Sequence, residues 1–162
     1  MSEEMIIVKK QIDAVDCTDR TVEWCRLPYP GHPKGCPNYG RRRDCPPFAP
    51  HFLEKFSPPF YLVAVRFNLA AHAEKMKKKH PHWTEKQARC LLYWQPRVNK
   101  ILRQACIELI KQLPPGFNFT LKPEAMRVNV ITTAFKAGIP IKTRPGKYVW
   151  KIALIGKERS GR

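Results

Sequence analysis

Residues 60–67, FYLVAVRF, are apolar almost throughout, with Pro58-Pro59 before them and Asn68 after. A short continuous apolar run between turn-forming residues predicts a strand covered on both faces, and this one is the expected centre of a sheet. Just upstream, PFAPHFLEKF at 47–56 predicts a short helix from about Pro50 to Phe56, with proline in its first turn. Nearer the start, Met5 to Val8 is an apolar run ending in Lys9 and Lys10 and reads as another strand. Residues 11–23 are mixed and acidic and give no assignment.

Downstream the pattern becomes helical. Asn68 is placed to cap a helix over 69–79, with Leu69, Ala73 and Met76 on one face and Lys75, Lys77, Lys78 and Lys79 towards solvent. Thr84 and Gln87 form a capping box for the next helix, which is expected to turn Ala88, Leu91 and Leu92 inward. Pro96, whose ring meets the carbonyl of Leu92, should kink or break it. Helical spacing resumes over 97–113 with Val98, Ile101, Leu102, Ala105 and Leu109, and stops at Pro114-Pro115-Gly116. Residues 117–121 read as a short strand. Pro123 and Glu124 open a helix through Ala137 that packs Val128, Ile131, Ala134 and Phe135, with Gly138 at a left-handed C-cap. YVWKIALI at 148–155 is the last strand, and the closing KERSGR is expected to fray. The class that follows is α+β or α/β: a small mixed sheet of about four strands covered by helices, in one domain over 1–162.

Within that domain the stretch 24–47, WCRLPYPGHPKGCPNYGRRRDCPP, stands apart. Its three cysteines, six prolines and three glycines forbid a long helix or a central strand, so something other than regular hydrogen bonding must order it. A metal or cluster held by Cys25, Cys36 and Cys45 is the simplest agent. Ten residues separate the first pair and eight the second, without a Cys-x-x-Cys knuckle, which argues against a structural zinc finger. Cys36 and Cys45 are each followed by proline, as is the last cysteine of the bacterial ferredoxin run, so an iron–sulfur cluster, most simply [4Fe–4S], is favoured over zinc. The fourth ligand is open: Cys90 is either that ligand or a core thiol, and His32, His51, His80 and His82 are the alternatives for zinc. Cys17 and Cys106 read as buried structural thiols. Unliganded thiols in an ordinary loop are the plain alternative.

The chain carries six cysteines, and its first residues, MSEEMIIVKK, lack the apolar core of a signal peptide. No segment approaches the roughly 18 apolar residues of a membrane span. These features point to the cytoplasm, where thiols serve metals, redox chemistry or burial rather than a disulfide framework. Net charge is +17 and unevenly placed: three basic and six acidic residues up to Glu23, twenty-seven and seven beyond it. Such an excess favours nucleic acid as partner and disfavours a membrane surface, a solvated basic surface being the plain alternative. Candidate contacts are Arg41, Arg42 and Arg43 inside the cysteine loop, Lys77 and Lys78, and the helical stripe Arg97, Lys100 and Arg103. Tyr29, Tyr39 and Trp83 are placed to stack on unpaired bases, which suits RNA better than duplex DNA.

GCPNYGRRRDCPP, together with KPEAMRVNVITTAFKAGIPI and YVWKIALIG, resembles a family of small cysteine-rich proteins of archaea and anaerobic bacteria described as predicted metal-binding proteins. The resemblance covers about half the chain. It implies that Cys36 and Cys45 match family ligands, and that Cys25 matches the upstream cysteine across the longer loop LPYPGHPKG. The family's second cysteine group is not matched, since only Cys106 falls between Tyr93 and Lys122. No settled activity comes with the family.

Three functions are therefore expected in order: a metal-stabilised RNA-binding protein; an iron–sulfur enzyme transferring sulfur to or from a nucleic-acid base at an open iron; and a component of a ribonucleoprotein assembly. The sequence does not decide whether the chain is an enzyme. It contains no phosphate-binding glycine loop and no radical-type cysteine spacing.

Overall fold

A computed structural model describes residues 5–28, 32–142 and 146–159. Four strands, β1 (Met5–Ile12), β2 (Phe56–Asn68), β3 (Phe117–Thr120) and β4 (Tyr148–Glu158), form one sheet in the order β1-β2-β4-β3. Every pairing is antiparallel, so the fold is α+β, one of the two classes expected, on four strands that form an antiparallel rather than a mixed sheet. Residues 60–67 lie at its centre as expected. Their neighbours are long: Val8 and Ile152 flank Ala64 on its two sides.

Alternation along β2 and β4 builds two cores. Phe60, Leu62, Ala64, Ile152 and Leu154 face one way, against Phe52, Val128 and Ala134. Val63, Val65, Phe67, Ala153 and Ile155 face the other, against Trp94, Val98, Leu102 and Cys106. Fully burying each large apolar side chain contributes about 1.5–3 kcal/mol, so a strand apolar on both faces anchors both layers.

Helices α1 (Arg20–Trp24), α2 (Phe52–Lys55) and α6 (Val130–Lys136) belong with the first core. Helices α3 (Leu69–Lys79), α4 (Glu85–Ala88) and α5 (Gln95–Lys111) belong with the second. The Asn68 side chain accepts from the Ala71 N–H at the head of α3, and the Thr84/Gln87 capping box forms. Yet α4 lasts one turn: a 3-10 turn at Leu91–Tyr93 follows, leaving Leu91 and Leu92 exposed rather than inward. Pro96 then sits in the first turn of α5, where its missing N–H costs nothing.

The expected helix over 123–137 is divided. A 3-10 turn at Pro123–Met126 ends at Arg127, which is left-handed at φ 68°, and Asn129 caps a new helix, α6. The interruption is held by the acidic segment before α1. Cys17 bridges Val128, the Thr18 N–H donates to the Arg127 carbonyl at 2.8 Å, and Asn129 N–H to that of Asp16 at 2.6 Å. Phe135, expected inside, is exposed. Gly138 is left-handed at φ 86°, as the C-cap requires. The expected helix at 50–56 shrinks to α2 because Phe56 already starts β2, and the expected frayed tail is in β4 through Glu158, with the Arg159 N–H bonded to the Lys55 carbonyl at 2.9 Å. Among the described residues no helix is long and apolar enough to cross a membrane.

Candidate functional site

The described part of the cysteine loop, from residue 32, is ordered by turns. The Cys36 N–H donates to the Cys25 carbonyl at 2.7 Å, and Gly40, left-handed at φ 75°, donates to the Pro46 carbonyl at 2.8 Å. The first bond joins the Cys25 and Cys36 arms; the second folds the Cys45 arm back onto them. Cys45 is buried, Cys25 and Cys36 half-buried. Burial raises the Cys25 thiol above its ordinary pKa, and the neighbouring Cys36, Cys45 and Glu124 raise it further. The three cysteines thus share one neighbourhood. Among the described residues, however, no three His, Cys, Asp or Glu side chains are arranged to hold a metal ion. Three soft sulfur donors are the donor type that zinc or an iron–sulfur cluster takes.

Cys90 lies elsewhere. It leads into the turn before Trp94, which packs in the second core. Of the histidine alternatives, His51 uses Nδ1 to cap α2 by accepting from the Leu53 N–H, and His80 stacks on Trp83 at 4.0 Å between centroids. His82 is exposed, and His32 lies in the loop itself. Cys17 is half-buried against the first core, and Cys106 is fully buried in the second, its thiol pushed up to about 12 by desolvation.

Beside the loop is a cleft of about 720 Å³. It opens where β3 stops: Thr120 pairs with Leu154, and from there β4 has no neighbour on that side. Arg42 and Arg43 of the loop, Lys55, Arg103, Lys122 and Lys151 line it, against a single carboxylate, Asp44, among the described residues. Asp44 is already neutralised twice, by Lys122 at 3.0 Å and Arg42 at 3.1 Å, and the Lys122 hydrogen bond holds its carboxyl below the usual range. The Lys122 ammonium also lies 3.9 Å from the Cys45 sulfur, tying cleft to cysteines.

On the other side of Lys151 is a smaller cavity of about 210 Å³, walled by Trp24, Trp150, Val130 and Ile152, with Glu124 and Lys151 among its lining. Glu124 is exposed to solvent, yet protein packs around its carboxyl. That crowding raises its carboxyl, while its own backbone N–H and Lys151 pull the other way. Burial likewise lowers Lys151, and Glu124 opposes it.

The remaining expected contacts scatter. Arg41, Lys78 and Lys100 are exposed and outside the cleft, and Lys77 pairs with Glu85. The stripe on α5 divides: Arg103 enters the cleft, whereas Arg97 joins His72, Lys75 and Lys79 around a separate pocket of about 260 Å³. Tyr39 lies under the Arg26 guanidinium at 5.7 Å, Trp83 is covered by His80 and Tyr93, and Tyr29 lies outside the described residues. Glu124, Lys122, Lys151, Trp24 and Trp150 were not singled out by sequence reasoning. One signal was present: Lys151 interrupts an otherwise apolar strand.

Compared with known proteins, the chain matches no family model, no curated relative and no solved structure.

Proposed function

We propose that this protein binds nucleic acid, single-stranded RNA in preference to duplex DNA, through the basic cleft, and that Cys25, Cys36 and Cys45 hold a metal centre that orders the loop supplying Arg42 and Arg43. The observation that carries the reading is the cleft lining: six cations around a concave surface whose one carboxylate is already paired. A polyanion is the ligand such a surface lacks. Resemblance to the predicted metal-binding family supports the cysteine assignment, and an iron–sulfur cluster is favoured over zinc on the Cys-Pro pattern. Such a protein belongs in the cytoplasm, where its thiols stay reduced.

A second reading, a base-modifying enzyme, is favoured by Glu124, a crowded carboxyl within electrostatic reach of Cys25. A cluster held by Cys25, Cys36 and Cys45 would supply an open iron for Lewis-acid or sulfur-transfer chemistry; the chain's own part would be Glu124, within electrostatic reach of Cys25.

The test is the salt dependence of binding to a short single-stranded RNA. Affinity should fall steeply with salt, with a log–log slope near −0.7 per neutralised phosphate, and Arg43→Glu with Arg103→Glu should weaken binding across sequences and flatten that slope. Absent or salt-insensitive binding overturns the reading. Exchange between free and added RNA distinguishes it from permanent residence in a ribonucleoprotein.

A further inference from the structure

The cavity between Trp24 and Trp150 has walls and floor of different character. Two indoles and aliphatic side chains of α6 and β4 surround it, and Glu124 and Lys151 complete the lining. Trp24, at the end of α1, is 44% exposed and so reachable by a ligand from solvent. At about 210 Å³ the cavity is below the roughly 300–1,000 Å³ of pockets that enclose whole ligands. It suits one planar ring system.

A ligand that needs apolar contact on its faces and both a donor and an acceptor on its edge is a nucleobase. An acyl chain would bring no polar edge to Glu124 and Lys151, and a sugar, whose C–H face can lie on an indole, would bring hydroxyls all round its edge against one acceptor and one donor. Lys151 lines this cavity and the basic cleft alike, because it lies on the stretch of β4 that β3 leaves open. A strand whose phosphates follow the cleft therefore passes the mouth of the cavity.

We infer that the Trp24–Trp150 cavity is a pocket for a single unpaired base, held between the indoles and read on its edge by Glu124 and Lys151, with its flanking phosphates in the basic cleft. The inference takes its ligand class from the nucleic-acid reading and adds a base-specific site to it. Trp24 and Trp150 are binding residues here. Glu124 accepts from a ring N–H or amino group, and Lys151 donates to an adjacent carbonyl or ring nitrogen.

The experiment titrates the full chain with a short single-stranded RNA and with an abasic ribose-phosphate strand of equal length. RNA should bind more tightly by about fivefold to a hundredfold, the worth of one stacked base. Trp24→Ala should abolish that preference and leave abasic binding unchanged, while Trp24→Phe retains most of it. Because Trp24 is half exposed, its removal leaves the cores intact; Trp150→Phe is the corresponding conservative change in β4. Equal binding of the two strands by the unaltered protein overturns the pocket and leaves the cleft standing. Binding of neither overturns both. Preference undiminished in Trp24→Ala and Trp150→Phe together also overturns it, by placing the base elsewhere.

Discussion

Gly35 rests directly against the backbone of Cys25: a β-carbon at Gly35 would stand 2.5 Å from the Cys25 carbonyl oxygen. It would also meet the Arg26 carbonyl carbon at 2.6 Å, and Gly35 has φ +91°. The approach is what lets the next residue, Cys36, donate its N–H to that same carbonyl. Only glycine satisfies both the conformation and the space.

Gly35→Ala should therefore part Cys25 from Cys36. The expected cost is about 1–3 kcal/mol in denaturant unfolding, as for strained backbone at a non-glycine residue. A short bifunctional thiol reagent should join Cys25 to Cys36 in the parent protein and fail to do so in the variant. Unchanged cross-linking would show that the two arms meet without this contact.

Gly156 and Gly40 make a contrasting pair. At Gly156 a β-carbon would lie 2.8 Å from the Phe56 β-carbon and 3.2 Å from a Phe60 ring carbon, both fixed in the first core. Gly156→Ala should cost about 1–3 kcal/mol through overpacking. Gly40 has no atom within 4 Å of the added carbon but has φ +75°, so Gly40→Ala carries only the left-handed backbone penalty of about 1–2 kcal/mol. Urea midpoints of the two variants separate crowding from strain: Phe60→Ala, which removes the ring carbon at 3.2 Å, should couple to Gly156→Ala and not to Gly40→Ala.

What the sequence disclosed follows how local each cause is. Asn68, the Thr84/Gln87 box and Gly138 act within one turn, and each is where the sequence put it. The misread features depend on distant chain. Arg127 is left-handed because Cys17, Thr18 and Asp16 engage the backbone around it, and arginine carries no local signal for that conformation. Leu91 and Leu92 keep helical spacing on paper, but the 3-10 turn rotates them outward. Strand direction was open because connection lengths permitted either sense. At the site, the irregular frame pointed to Cys25, Cys36 and Cys45, of which the Cys36 N–H bond to the Cys25 carbonyl joins two arms, whereas Glu124 and Lys151 acquire meaning only when β4 and the 3-10 turn meet.

His72 predicts a pH dependence. Its Nε2 is buried without a hydrogen-bond partner among the described residues, its ring lies 5.6 Å from that of Phe67, and burial, then Arg97, then Lys75, lower its pKa. Lys79 and Tyr93 complete the surroundings. A histidine depressed by folding is protonated first in the unfolded chain. Its neutral form therefore costs nothing above about pH 6.5, and stability falls as pH drops from there towards the folded value. The slope should be a fraction of the roughly 1.4 kcal/mol per pH unit of a full proton, because the ring keeps partial solvent access. His72→Leu should flatten the stability profile between about pH 7 and 5. An unchanged profile would assign the slope to other groups.

The cysteines should separate by position when each is replaced in protein prepared without oxygen. Cys25, Cys36 and Cys45 act on one another electrostatically, and Cys45 is tied to Lys122, so Cys25→Ser, Cys36→Ser and Cys45→Ser should each lose bound iron and sulfide, or zinc, while the two cores keep the far-ultraviolet signature of the fold. Cys90→Ser should retain the metal, because Cys90 leads into the turn before Trp94 of the second core rather than lying in the loop. Cys106→Ala should also retain it and lose stability instead, by about 1 kcal/mol for the small void left in the second core. Its thiol, pushed up to about 12, should resist alkylation at neutral pH until the protein unfolds. Loss of metal from Cys90→Ser would instead make it a ligand and require the Glu85–Tyr93 segment to move to the loop. Full folding with neither iron nor zinc in the parent protein would remove the metal centre and leave the Gly35 and Gly40 turns as the sole cause of the loop's order.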